Sequence, residues 1–361
     1  MDFPVAPVIR ERLAALLDPL MGDLGYPDWP RPVRSPLPEL FVARMGDRFG
    51  WRPEPDRVIE LADVVQGIQM AVHHLTRPGD GVVLHTPAYP PFFAAIEGLG
   101  RRVLRVPWPF DPDRTAAVMA DPTARVLLLC HPHNPTGHVF ARTELEQLAE
   151  LAARHRLTVV SDEIHADLTH RPHVHLPFAS LGAEVEARTV TVTSASKAFN
   201  LAGLRWAALH AGSDAMLDAL RALPDHYLGA PNLPAVVATD AAWTAGDDWR
   251  RAVLEVLDEN RRGLVELLAR HLPGVGYRVP EATYLAWLDC RGLGWGDDPS
   301  VEFVRRGVEL SPGPTFGTEG AGHVRLNLAT SRAVLEQIVI AMATPPDGPG
   351  RDTAPSGLRE P

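Results

Sequence analysis

The sequence predicts an α/β fold: a mostly parallel sheet covered by helices on both faces. Two observations carry this. Short apolar runs alternate with stretches of helical spacing through the middle of the chain, as in successive strand–helix–strand units. One run, Arg125–Cys130, is apolar after its first residue, as a strand buried on both faces is. A third observation bears on function: Asn134, Asp162 and Lys197 each stand just after a predicted strand. Ligands of open α/β sheets bind beyond the carboxyl ends of the strands, so all three belong on one rim.

The elements follow in order. Gly81–His85 and Val103–Val106 read as short strands flanking a helix over Pro91–Gly98. Arg125–Cys130 is the next strand. Thr143–His155 has helical spacing at Leu145, Leu148, Leu151 and Ala152, with Thr143 and Glu146 forming a capping box. Leu157–Ser161 and the β-branched run Thr189–Thr193 are further strands. Asp248–Leu272 is a long amphipathic helix without proline, leading to a second, smaller unit that includes the strand Thr283–Asp289. The expected division is an N-terminal segment, residues 1–20, packing with the small domain; a large domain, 21–248; an interdomain helix and small C-terminal domain, 249–344; and a disordered Pro/Gly-rich tail, 345–361.

Composition bounds the function. The 361 residues are 45% hydrophobic, enough for one large domain plus a smaller one. A net charge of −10 argues against nucleic acid or an anionic membrane as main partner. No apolar run is long enough to span a bilayer, and Met1-Asp-Phe-Pro4 does not read as a signal peptide. Cys130 and Cys290, the only cysteines, lie in apolar runs as buried thiols, so a reducing cytoplasm is expected.

Lys197 carries the most information. It sits in Ser194-Ala-Ser-Lys-Ala-Phe-Asn200, a small-residue turn at the end of a strand. A reachable amine, two hydroxyls to hold an anion and little bulk are what a lysine bonded to pyridoxal phosphate (PLP) requires. His133-Asn-Pro-Thr-Gly137 and Val159-Val-Ser-Asp-Glu-Ile-His165 precede it, and His323-Val-Arg-Leu-Asn327 follows. In this order and spacing the four segments resemble the fold-type I PLP enzymes of the class I/II aminotransferase superfamily, along nearly the whole chain. The resemblance implies a seven-stranded, mostly parallel sheet in the large domain, with a smaller α/β domain from both chain ends.

It also implies roles. Lys197 bonds the cofactor aldehyde and, once freed, moves the Cα proton of the substrate. Asp162 meets the pyridine nitrogen and keeps it protonated; a helix cap or salt bridge is its plain alternative. Asn134 donates to the ring oxygen O3′, or else forms an Asx turn before Pro135. Tyr89 stacks on the ring. Gly67, Ile68 and Gln69, at a helix start, form the phosphate cradle with Ser194, Ser196 and Arg205. Tyr26 resembles a tyrosine that reaches the neighbouring subunit's phosphate, which implies a homodimer. Arg325 is the fork for the carboxylate of a small amino-acid substrate, with Asn134 and Tyr89 beside it.

His165 departs from the usual aminotransferase pattern, which has tyrosine three positions after the aspartate. This version resembles the MalY/PatB group of cystathionine β-lyases (C–S lyases). Met1-Asp-Phe-Pro-Val-Ala-Pro7, Ala282–Asp289, the Lys-Ala-Phe-Asn200 ending and Pro312–Gly317 resemble the same group. In that group some tens of residues usually precede Met-Asp-Phe; here that segment opens the sequence, and a shorter arm would expose part of the substrate side and the dimer contact. The implied reaction is α,β-elimination of L-cystathionine, or a related sulfur amino acid such as cysteine, to a thiol, pyruvate and ammonia. An aminotransferase is the alternative, since the same residues serve both. A regulatory PLP-fold binding protein ranks below both: the sequence has no helix-turn-helix segment or basic tail. His165, His170, His173 and His175 fit no tight zinc spacing, so no metal is expected; the last three read as exposed loop residues.

Overall fold

The computed structural model of the chain describes residues 1–18, 22, 24–25, 35–222 and 229–345. The strands are β1 (Val58–Leu61), β2 (Gly81–Thr86), β3 (Arg102–Pro107), β4 (Ala124–Cys130), β5 (Thr158–Asp162), β6 (Thr189–Thr193), β7 (Ala207–Ala211), β8 (Gly276–Tyr277), β9 (Leu285–Asp289), β10 (Ser311–Pro312) and β11 (His323–Asn327). The helices are α1 (Pro7–Leu16), α2 (Leu37–Phe49), α3 (Val64–Leu75), α4 (Pro90–Glu97), α5 (Pro112–Met119), α6 (Arg142–Arg154), α7 (Ala183–Glu186), α8 (Asp214–Arg221), α9 (Leu233–Ala245), α10 (Asp247–His271), α11 (Ser300–Arg305) and α12 (Arg332–Ala343).

Seven strands form one sheet in the order β1-β7-β6-β5-β4-β2-β3. The run from β3 to β6 is parallel, whereas β7 and β1 join antiparallel at one side. Strand periodicity splits the core in two. Val82, Leu84, Val126, Leu128 and Val160 face α3, α4 and α8, where Ile68, Phe92 and Leu220 are buried. Their neighbours Val83, Leu127, Leu129 and Val159 face α5 and α6 on the other side, with Met119, Leu145 and Leu148. Continuous apolar runs are therefore needed in the central strands, as the sequence of β4 shows.

A second, antiparallel sheet, β10-β11-β9-β8, carries its own core. Leu288 of β9 and Val324 of β11 pack there against Leu264 and Leu268 of α10 and Leu335 and Val339 of α12. Helix α10 joins the two bodies, burying Val253 and Leu257 in its first half and Leu264, Leu267 and Leu268 in its second. The chain start runs between them. Ile9 of α1 is buried with Ala238, Ala241 and Ala242 of α9, and the Asp2 amide donates to Ala329 O at 2.8 Å.

One local expectation is corrected. The cap of α6 lies two residues earlier than Thr143, at Ala141: Glu144 Oε2 accepts from the Ala141 amide at 2.7 Å, while Glu146 sits on the exposed face near Arg142. Ala141 has no side-chain acceptor, so only half of a capping box exists. Among the described residues no helix is long and apolar enough to cross a membrane.

Candidate active site

Strands β4, β5 and β6 lie side by side and parallel. Their carboxyl ends bring Asn134, Asp162 and Lys197 to one rim, where a cavity of about 740 Å³ opens between the two sheets. Lys197 is the only lysine in the chain; every other basic side chain except histidine is arginine.

Asp162 ends β5 and is 4% exposed. Its Oδ1 accepts from the Ile164 amide at 3.1 Å. Burial drives the carboxyl up to about 7, although Ile164 and the Lys197 charge pull the other way. Burial lowers the Lys197 ammonium, against the pull of Asp162, which favours a free amine. His165 is pushed down to about 3 by burial and then by the charges of Lys197 and Arg325, so its imidazole is neutral. It lines the cavity, and its Nδ1 is enclosed without a partner.

Arg325 projects from β11. Its Nη1 donates to Asn134 Oδ1 at 2.9 Å and its Nη2 to Ser311 Oγ at 3.3 Å, while the guanidinium lies 4.8 Å from the centre of the Phe316 ring. Tyr89 caps the start of α4 and meets Phe92 edge to face at 5.5 Å. Arg205, in the left-handed region at φ 61°, pairs with Asp63, the N-cap of α3. Gln69 and Ser196 complete the predicted residues lining the cavity.

Other predicted residues lie elsewhere. Helix α3 starts at Val64, not at Gly67, because Asp63 Oδ1 accepts from the Gln66 amide at 2.8 Å. The helix-start residues whose amides precede the capped turn and line the cavity are therefore Val64 and Val65, and Gly67 and Ile68 are buried in the core. A Cβ on Gly67 would meet Leu61 and Val192 at 3.1 Å each, so its role is close helix–sheet packing. Ser194 does not line the cavity: its hydroxyl donates to Trp206 O at 2.6 Å and accepts from the Ser196 amide at 3.0 Å, shaping the lysine turn. Tyr26 lies outside the described residues.

Two histidines expected on an exposed loop are buried. His170 Nε2 bonds Thr283 O at 2.8 Å, and His175 Nε2 lies 3.0 Å from Glu163 Oε2. Their partners stand on other segments, beyond the reach of a local reading; His173 is exposed as expected. Asp63, Tyr284 and Ser311 were missed as lining residues. For Asp63 the signal was present, as an acidic N-cap before Val64-Val65.

Comparison with known proteins agrees with this geometry. The family model for aminotransferase class I and II matches residues 39–342. A putative cystathionine beta-lyase of Mycobacterium tuberculosis (strain ATCC 25618 / H37Rv) is 38% identical, covering 95% of this chain and 89% of that protein. Cystathionine beta-lyase PatB of Bacillus subtilis (strain 168) is 35% identical over 93% of this chain and 88% of its own. The crystal structure of cystalysin from Treponema denticola, which contains a pyridoxal 5′-phosphate cofactor, superposes with a TM-score of 0.89 at 28% identity, covering 95% of this chain and 88% of that one. A parallel sheet with its lysine, aspartate and asparagine on one rim, matched along most of its length by these proteins, places the chain as a member of the aminotransferase class I and II family.

Proposed function

We propose that this protein is a PLP-dependent C–S β-lyase that cleaves L-cystathionine or a related sulfur amino acid. The observation that carries this reading is the chain's single lysine, on a cavity wall shared with buried Asp162, Asn134 and Arg325. The relatives described as cystathionine β-lyases support the choice of reaction.

The residues fit the cofactor. Asp162 has one backbone donor and lines the cavity, where a protonated pyridine nitrogen would pair with it. The amides at the start of α3, with Ser196 and Arg205, suit a phosphate group. Asn134 and Tyr89, both in the cavity lining, would serve a ring oxygen and a ring face. When bound, the cofactor supplies the electron sink that makes the Cα–H bond acidic.

The chain's own groups do the rest. Arg325 orients the substrate carboxylate, its guanidinium already fixed by Asn134 and Ser311. Lys197 Nζ takes the Cα proton. Elimination breaks Cα–H and Cβ–S; the sulfur leaves with its bonding pair and is protonated, and water then releases pyruvate and ammonia. A neutral His165 adds no charge that would compete with Asp162. We also propose a cytoplasmic homodimer in which Tyr26 reaches the partner's phosphate site; the two buried, unpaired cysteines suit a reducing compartment.

Borohydride reduction of the holoenzyme followed by peptide mapping tests the site. The cofactor should be fixed to Lys197, and an unmodified Lys197 would remove it from this role. Aminotransferase activity, the alternative, uses the same residues and is separated by its need for a 2-oxo acid.

A further inference from the structure

Tyr284 lines the cavity with Lys197, His165 and Arg325. Its ring packs against the cluster of Leu168, Ala195, Ala198 and Phe199 around the lysine turn. The His165 ring meets it edge to face, with centroids 6.2 Å apart. Its hydroxyl has no partner among the described residues, yet is not one of the enclosed, unpartnered polar atoms, so it opens on the cavity. Burial raises the phenol to about 12 against the opposing charge of Arg325, which keeps it a hydrogen-bond donor at neutral pH.

The backbone that aims this side chain is strained. Thr283, fully buried, has φ 73°, a left-handed conformation that β-branched residues rarely adopt. Four hydrogen bonds hold it and its neighbour. The Thr283 amide donates to Leu168 O at 2.9 Å, and the Leu285 amide donates to Thr283 Oγ1 at 3.1 Å. Tyr284 O accepts from the Leu328 amide at 2.7 Å. The Thr283 carbonyl accepts from buried His170 at 2.8 Å, and because a carbonyl only accepts, His170 Nε2 carries the hydrogen. Backbone strain kept by this many partners marks a place where side-chain direction matters. The left-handed turn at Thr283 leads into β9 with Tyr284 in the cavity wall that also holds Arg325.

Arg325 already gives one hydrogen to Asn134 and one to Ser311. A carboxylate offers about four acceptor directions, more than a partly committed guanidinium fills. We propose that Tyr284 is a second donor to the substrate α-carboxylate beside Arg325, and that His170 positions it through the left-handed Thr283. This rests on the reading of the cavity as a PLP-dependent amino-acid site.

The test titrates the holoenzyme with L-alanine and with L-alaninamide, neither of which carries a β-leaving group, and follows the cofactor absorbance. Wild type should prefer the acid. Tyr284→Phe should weaken L-alanine by about tenfold and L-alaninamide by less than about twofold, the loss typical of one charge-assisted hydrogen bond. His170→Phe should narrow the acid-over-amide preference, and His170→Gln, which keeps an N–H donor, should restore it. Equal weakening of both probes in Tyr284→Phe, or no change, would overturn the proposal while the amino-acid reading stands. An unchanged preference in His170→Phe would overturn the positioning role. A wild-type spectrum that responds to neither probe would overturn the amino-acid reading and this proposal with it.

Discussion

Mild acid should unfold this protein. Buried His131 is held well below the ordinary value of 6.5, and five further buried imidazoles have values far below it: His85, His170 and His210 near 4, and His133 and His165 near 3, each chiefly by burial. The folded chain therefore binds fewer protons than the unfolded chain between about pH 4 and 6.5, and stability rises with pH there. It is fully present above about pH 7 and is lost as pH falls through 6.5 toward 4. At pH 5.5, one unit below the unfolded value, each group costs about 1.4 kcal/mol, or about 7 kcal/mol for the five. Asp162 works in the opposite sense, because its folded value near 7 lies above the ordinary 3.8. Without cofactor it offsets about 2 kcal/mol on going from pH 7.5 to 5.5. The net loss, about 5 kcal/mol, is comparable with the whole stability of an ordinary domain, about 5–15 kcal/mol. Urea unfolding of cofactor-free protein at pH 7.5 and 5.5 measures it. Neither ring nitrogen of His85 or His210 has a partner among the described residues, so His85→Phe and His210→Phe should each make the acid loss shallower by about 1 kcal/mol. Stabilities at the two pH values within about 1 kcal/mol of each other would refute the reasoning.

Other expectations are shorter. Lys197→Ala should abolish the protein-bound cofactor band and elimination together; a persisting band would exclude the lysine as the attachment point. Asp162→Asn should lower kcat by about 10²–10³-fold, about 3–4 kcal/mol of transition-state stabilisation; a change in KM alone would contradict its role. Arg44 is 3% exposed and bonds Asp167 at 2.8 Å and Asp247 at 2.9 Å, joining α2 to α10. Arg44→Met should destabilise by about 3 kcal/mol in chemical denaturation, since two carboxylates lose their buried partner; a neutral effect would show that the pairs contribute nothing net.

The parallel half of the large sheet was legible because β4 is an apolar run, as a strand buried on both faces requires, and β6 is β-branched throughout. Strands β1 and β7 were not. Val58-Ile-Glu-Leu61 is partly polar, and Ala207-Ala-Leu-His-Ala211 is rich in alanine, a poor strand former, so neither stands out locally. Asn134, Asp162 and Lys197 were readable as residues just past strand ends. Helix α3 begins three residues before Gly67, because the Asp63 cap rather than the glycine sets its start. Tyr284 was assigned to a strand, and nothing local announces the left-handed Thr283 that turns it. His170 and His175 lie in a proline-containing stretch that reads as exposed, and only tertiary partners bury them.

Elimination at Cβ is tested most directly with L-cystathionine itself. Holoenzyme with L-cystathionine, without any added 2-oxo acid, should release pyruvate and free thiol in equal amounts. No release, with amino transfer appearing once 2-oxoglutarate or pyruvate is supplied, would contradict the lyase assignment and make the protein an aminotransferase.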